Sequence, residues 1–186
     1  MVLSSQEIRS VAKLLKKQRD QLLFYTGVYT GLRISELISI KQSKVFTASG
    51  GTRNTLKVTR TKKKNTVYSD IPIHPKLRER LLLYKKNFLD LMGESSPWLF
   101  PSSRDVQDHI KRVRAHNILT EAFGSLAIDV AKTHSMRHTC LSNMPHAGIP
   151  IRTIQEISGH ANLSQLQAYL SVAQADVQGA VLSLRY

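Results

Sequence analysis

Apolar residues recur at helical spacing through the opening of the chain. Ile8, Val11, Leu14 and Leu15 share one face behind "SSQE", Ser4 to Glu7, which has the spacing of a capping box, so a helix is predicted to start there. A second apolar run, "LLFYTGVYT", leads into Gly31, and "RISELISI" then resumes helical spacing; Gly31 is read as the break between two helices. From Asn54 the period changes. "TLKVTR" and "TVYSDIPI" are rich in β-branched residues and flank "TKKKN", which predicts a hairpin with lysines at its tip. Pro75 opens "PKLRERLLLYKKNFLDLM", an amphipathic helix over 75–92 with proline in its first turn, and "GESSPWLFPSS" reads as a loop. The remainder has mostly helical spacing, with Pro145 predicted to kink or end the helix begun near His134. No repeat or linker divides the chain. The pattern therefore predicts one mainly α domain with a small antiparallel β-sheet, an α+β chain.

Composition adds a partner. The chain has 186 residues, enough for one real core, with 27 Lys and Arg against 13 Asp and Glu, a formal charge of +14. Clustered cations gain affinity for phosphates by releasing counterions, so nucleic acid heads the candidate partners. A membrane surface would call for one basic amphipathic face, whereas the basic residues here are spread over several segments. The single cysteine, Cys140, forms no internal disulfide, and no run resembles a signal peptide or spanning segment, so an intracellular, soluble protein is expected. His74, His109, His116 and His146 lack partners at metal-ligand spacing, and neither a metal nor a cofactor is expected.

Candidate chemistry sits in three segments. In "THSMRHTCLS", His134 and Arg137 are one turn apart and so share a helix face, an arrangement that on spacing alone is more often a solvated or capped pair than a site. "GHANLSQLQAYL" adds His160 and, nine residues on, Tyr169. In one unbroken helix nine residues turn through about 900 degrees, which would set the two on opposite sides. A turn must intervene if they share a site. Gly159 and His160 can close the helix "PIRTIQEIS", and Ser164 to Gln167 has capping-box spacing for a short helix carrying Tyr169.

The ordered set "TGLRISEL" (30–37), "HSMRHT" (134–139) and "SGHANLSQLQAY" (158–169) resembles the catalytic domain of the tyrosine site-specific recombinases, the phage integrase family. The likeness runs from about Ser4 to the C-terminal segment, and the separations of Arg137, His160 and Tyr169 match those of the family. It implies a tyrosine recombinase catalytic-domain fold over 1–186, acting on double-stranded DNA. The implied catalytic set is Arg33, Lys62, His134, Arg137, His160 and Tyr169. Tyr169 is then the nucleophile that forms a 3′-phosphotyrosyl bond. Arg33 and Arg137 hold the non-bridging oxygens, His160 adds a donor, and His134 orients the site or takes the tyrosine proton. The chemistry is coherent, because a phenol with an ordinary pKa of about 10 attacking an anion needs a strongly positive site.

A lysine of "TKKKN" stands where the family has its general acid for the leaving 5′-oxygen. Counting from "LKV" favours Lys62 and counting back from Pro72 favours Lys64; Lys62 is taken, with plain phosphate contact an open alternative for each. Glu36, three residues after Arg33, either orients it or forms a surface ion pair, and His138 and Thr139 are read as supports. The resemblance further implies a homotetramer on two paired DNA sites, with accessory DNA-bending proteins. Residues 174–186 are expected to form a C-terminal helix that docks on a neighbouring protomer or packs on its own domain. The chain begins almost at the catalytic domain, so it is expected to lack the family's N-terminal core-binding domain, either as a short form like the recombinases of fimbrial switches or as a fragment. Leu166 and Leu170 depart from the residues frequent around the family's tyrosine. Two rivals stand beside this reading: a non-catalytic DNA-binding regulator, and DNA relaxation of the type IB topoisomerase kind.

Overall fold

The computed structural model describes residues 1–62, 65–92, 95–128 and 130–169, with residues 61, 62, 65–68 and 168 described by their backbone alone. Lys63, Lys64, Leu170 and the segment 174–186 lie outside the described residues. The predicted mainly α chain with a small sheet is what the structure has. Helix α1 (Ser5–Leu14) opens on the expected capping box, Ser4 accepting from Glu7 N and Glu7 from Ser4 N. Leu15, Val11 and Ala12 are buried, whereas Leu14 faces solvent. Helix α2 (Gln18–Thr30) is nearly all buried and ends at Gly31, whose φ of 63° is the left-handed conformation that glycine adopts without strain. Arg19 and Asp20 form a buried ion pair at its start (2.8 Å), and Arg19 also donates to Pro101 O (2.8 Å), pinning the long loop to the core.

After α3 (Ile34–Ile38) the hairpin forms as predicted from β1 (Thr55–Lys62) and β2 (Asn65–Pro72), antiparallel, from Thr55 opposite Pro72 to Lys62 opposite Asn65. Helix α4 (Pro75–Tyr84) has proline in its first turn but is shorter than predicted. It widens into a π turn over Lys85–Leu89. The wider turn brings residues five apart nearer to one side, and here both Tyr84 and Leu89 are buried, Tyr84 also donating to Leu99 O (3.0 Å).

Helices α5 (Arg112–Gly124), α6 (Thr133–His146) and α7 (Ile151–Ser158) complete the α-helical part. Helix α6 packs along α2, and the core between them and α5 holds Phe24, Phe123, Leu119 and Met136. Pro145 lies in the last turn of α6, so its missing N–H coincides with the end of the helix that it was expected to impose. One expected boundary is corrected: the segment with Tyr169 is a 3-10 helix over Leu163–Tyr169, which places Ser164 inside it instead of at its cap. Gln165 N bonds to Asn162 O at 3.2 Å, so the turn starts ahead of Ser164.

Candidate active site

Four chain segments meet around Arg137. On α6 its side chain is 1% exposed, buried by the packing of that helix against α2. Its guanidinium donates from Nη1 to Gly31 O (2.7 Å) and from Nη2 to Ser158 O (2.9 Å). Both acceptors are the carbonyls of, or beside, a residue that ends a helix, where carbonyls lack intrahelical partners. Gly31 ends α2 and Ser158 precedes Gly159, which ends α7 at φ 68°. A Cβ at Gly31 would come within 3.3 Å of Cys140, so the close approach of the two helices also needs glycine there.

His160 follows that second glycine. Its Nε2 lies 3.0 Å from Arg137 Nη2 and its Nδ1 2.9 Å from Ser158 Oγ. A guanidinium only donates, so Nε2 is the acceptor and Nδ1 carries the proton that Ser158 Oγ receives. Ser158 Oγ in turn donates to Gln155 O (3.2 Å). Burial pushes the His160 imidazole down to about 4, and the nearby Arg137 and Arg33 act in the same direction. The neutral ring that this bonding pattern requires is therefore the form at neutral pH.

The turn required between His160 and Tyr169 is present. Beyond it, the 3-10 helix buries Leu166 and Tyr169 against Leu141 and Ile154. The Tyr169 hydroxyl lies 3.3 Å from His134 Nε2. Its ring is 4.6 Å from that of His138 and 5.7 Å from that of His160. His134 is lowered by burial first, then by His138, Arg137 and Arg33, which favours a neutral ring able to accept the phenol proton. Burial and Arg33 also lower the Arg137 guanidinium, while the Tyr169 hydroxyl beside it acts the other way.

Arg33 caps α3 and points to solvent, its side chain 43% exposed. Glu36 holds it, Oε2 accepting from Arg33 N (2.8 Å) and Oε1 from Nη1 (3.1 Å). Lys62 ends β1, and its side chain lies outside the described residues. His74 and His109 stand apart from this constellation: His74 caps α4 and stacks on Tyr29, and His109 bonds to Ile110 O and packs edge-on to Trp98. Among the described residues, no three His, Cys, Asp or Glu side chains are grouped to hold a metal.

Sequence reasoning missed two participants. Ser158, fully buried, orients His160, and nothing local in the sequence marks it. Arg60, which no sequence motif singled out, is 4% exposed, and its Nε lies 3.5 Å from Glu36 Oε1. The signal was available: Leu56, Val58 and Arg60 fall on one phase of the period-2 alternation, and that phase faces the core.

A mostly helical fold carrying two arginines, histidines and a tyrosine in this arrangement defines the catalytic domain of a tyrosine recombinase. The profile of the phage integrase family matches residues 1–176, and the chain belongs to the phage integrase family. The tyrosine recombinase XerA of Pyrococcus furiosus is 32% identical over 188 residues, covering 96% of this chain and 60% of its own length. This chain thus spans about 60% of the length of that relative. Among solved structures, the XerA recombinase superposes with a TM-score of 0.77 at 22% identity, over 100% of this chain and 65% of that one. The Tn1549 transposon integrase in complex with transposon right end DNA gives 0.75 at 17% identity, over 98% and 65%. The catalytic domain of bacteriophage HP1 integrase gives 0.64 at 22%, over 98% and 94%.

Proposed function

We propose that this chain supplies the catalytic centre of a site-specific DNA recombinase that cleaves and rejoins duplex DNA through a 3′-phosphotyrosyl intermediate. The observation that carries the reading is the Tyr169 hydroxyl, held 3.3 Å from His134 Nε2 of the same chain. The relatives named as tyrosine recombinases and the DNA bound to the Tn1549 integrase support it.

Tyr169 Oη attacks the scissile phosphorus as His134 Nε2 takes its proton. Arg33 and Arg137 stabilise the charge that grows on the non-bridging oxygens, Arg33 through its exposed planar fork and Arg137 through Nε–H, which has no hydrogen-bond partner among the described residues. His160, its two nitrogens already bonded to Arg137 and Ser158, positions Arg137 instead of adding the donor expected from the sequence. The phosphorus–5′-oxygen bond breaks as the hairpin lysine, assigned to Lys62, protonates the leaving oxygen. The new 5′-hydroxyl of a partner strand attacks the phosphotyrosine and restores the phenol, so two transesterifications exchange strands with no external energy source. The active form is a homotetramer joining two DNA sites, assisted by DNA-bending proteins and located on the nucleoid.

The test is trapping on nicked duplexes taken from DNA flanking the protein's own coding sequence. A covalent protein–DNA band formed by the wild type and absent in Tyr169→Phe is expected, confined to a paired inverted repeat. Arg33→Ala and Arg137→Ala should lose cleavage by about 100-fold or more with a far smaller loss of DNA affinity. A band that persists in Tyr169→Phe overturns the assignment. Cleavage spread over arbitrary sequences would instead mark a topoisomerase.

A further inference from the structure

Helix α7 ends in three successive carbonyls that two buried guanidiniums divide between them. Arg137 Nη2 donates to Ser158 O (2.9 Å), while Arg60, on β1, donates from Nη1 to Glu156 O (3.1 Å) and from Nη2 to Ile157 O (2.5 Å). Carbonyls at a helix C-terminus lack intrahelical partners and favour a cation, which accounts for the contacts one by one. It does not account for the pair. Burial first, then Arg137 and Arg33, work against the charge of Arg60, and Glu36 alone supports it, its Oε1 lying 3.5 Å from Arg60 Nε. Leu56 and Val58 show what the core-facing phase of β1 accepts, and an apolar residue in place of a buried ion pair is commonly neutral or stabilising. Packing alone therefore does not call for an arginine here.

The contacts of Arg60 converge on what holds Arg137. A Cβ at Gly159 would lie 2.5 Å from Arg60 Nη1, so the guanidinium fills the space that the glycine leaves as the backbone turns at φ 68°. His160 comes next, and its Nε2 accepts from the same Arg137 Nη2 that bonds to Ser158 O (3.0 Å). Both acceptors of Arg137 Nη2 thus belong to the end of α7, which Arg60 ties to β1 and, through Ser69 Oγ (3.2 Å), to β2. Arg137 Nη1 is engaged by Gly31 O, which leaves Nε as the Arg137 nitrogen with no hydrogen-bond partner among the described residues.

We propose that Arg60 is a positioning residue for Arg137: by pinning the end of α7, it holds Ser158 O and His160 Nε2 where they fix the Arg137 guanidinium with Nε–H free for a non-bridging oxygen of the scissile phosphate. Arg60 is itself 4% exposed and engaged on protein acceptors, so it acts through Arg137 and not on the DNA. The inference rests on the recombinase reading above.

The experiment is a double-mutant cycle, read as single-turnover formation of the covalent complex on a nicked duplex, with affinity for the same duplex measured beside it. Arg60→Met should slow the reaction by about tenfold or more while changing the affinity by less than about threefold. Arg137→Lys keeps a charge but has neither the Nε–H nor the fork, so the geometry that Arg60 maintains is already lost in it. In that background Arg60→Met should cost less than about threefold more, because residues acting as a unit are not additive. A side chain that serves only to hold the fold together would slow both backgrounds alike. Arg60→Lys, with one ammonium for two carbonyls, should fall between Arg60→Met and the wild type, and it takes the place of Arg60→Met throughout the cycle if that variant fails to fold. A wild-type rate in the Arg60 variant, or its full loss repeated in Arg137→Lys, overturns the proposal. Failure of the wild type to form a Tyr169-dependent complex overturns the recombinase reading, and the proposal with it.

Discussion

His160 has a bonding pattern that makes its protonation state a structural matter. Arg137 Nη2 needs a lone pair on Nε2, and a second proton there would set two donors against each other at 3.0 Å. Burial already lowers the folded-state value to about 4, against an ordinary value of about 6.5 in the unfolded chain. Between those two values the unfolded chain binds a proton that the folded chain refuses, so stability is fully present above about 6.5 and drains away as the pH falls towards 4. His134 and His138 are lowered too and act with the same sign. His160→Gln keeps an acceptor for Arg137 but does not titrate. Thermal midpoints measured between pH 7 and pH 4.5 should therefore fall less steeply in His160→Gln than in the wild type. Parallel slopes would show that His160 does not contribute to the acid sensitivity.

At the scale of elements, the proposed nucleophile depends on a short helix whose period matters more than its cap. Leu163, Leu166 and Tyr169 are spaced by three, and in a 3-10 helix residues three apart eclipse one another, so all three lie along one edge. Leu166 is fully buried between Leu141 and Ile154, and Tyr169 lies further along the same edge. Leu166→Ala removes the anchor. Core Leu→Ala changes cost about 2–5 kcal/mol, but here the loss falls on a terminal turn that can loosen on its own. Cleavage of a trapping substrate should drop by about tenfold or more, with a small change in the global denaturation midpoint; a large fall in that midpoint with full cleavage would contradict this.

The same turn shows what the sequence could disclose. The glycine break before Tyr169, the capping box at Ser4 and the paired β-branched runs are local signals, and all three appear where expected. The 3-10 form was hidden because Ser164 and Gln167 match a cap that the chain does not use. Arg60 was legible only through strand phase, and Ser158 only through the tertiary approach of α7 to α6.

For the molecule as a whole, the constellation is internal to one chain. Tyr169 meets His134 of its own α6, and the 3-10 helix is seated on the hydrophobic side chains of α6 and α7. A tyrosine lent by a neighbouring protomer would have no such seat to leave. The proposed tetramer is therefore expected to cut each strand with the tyrosine of the protomer that holds its phosphate. This separates two architectures by complementation. Tyr169→Phe retains the arginines and lacks the nucleophile; Arg137→Ala retains the tyrosine and lacks the phosphate clamp. Mixed on paired sites, the two variants should give no more covalent product than either alone, because no single chain in the mixture holds both groups. Recovery of product in the mixture would mean that the tyrosine crosses to a neighbouring site, and the contact between Tyr169 and His134 would then belong to a resting state.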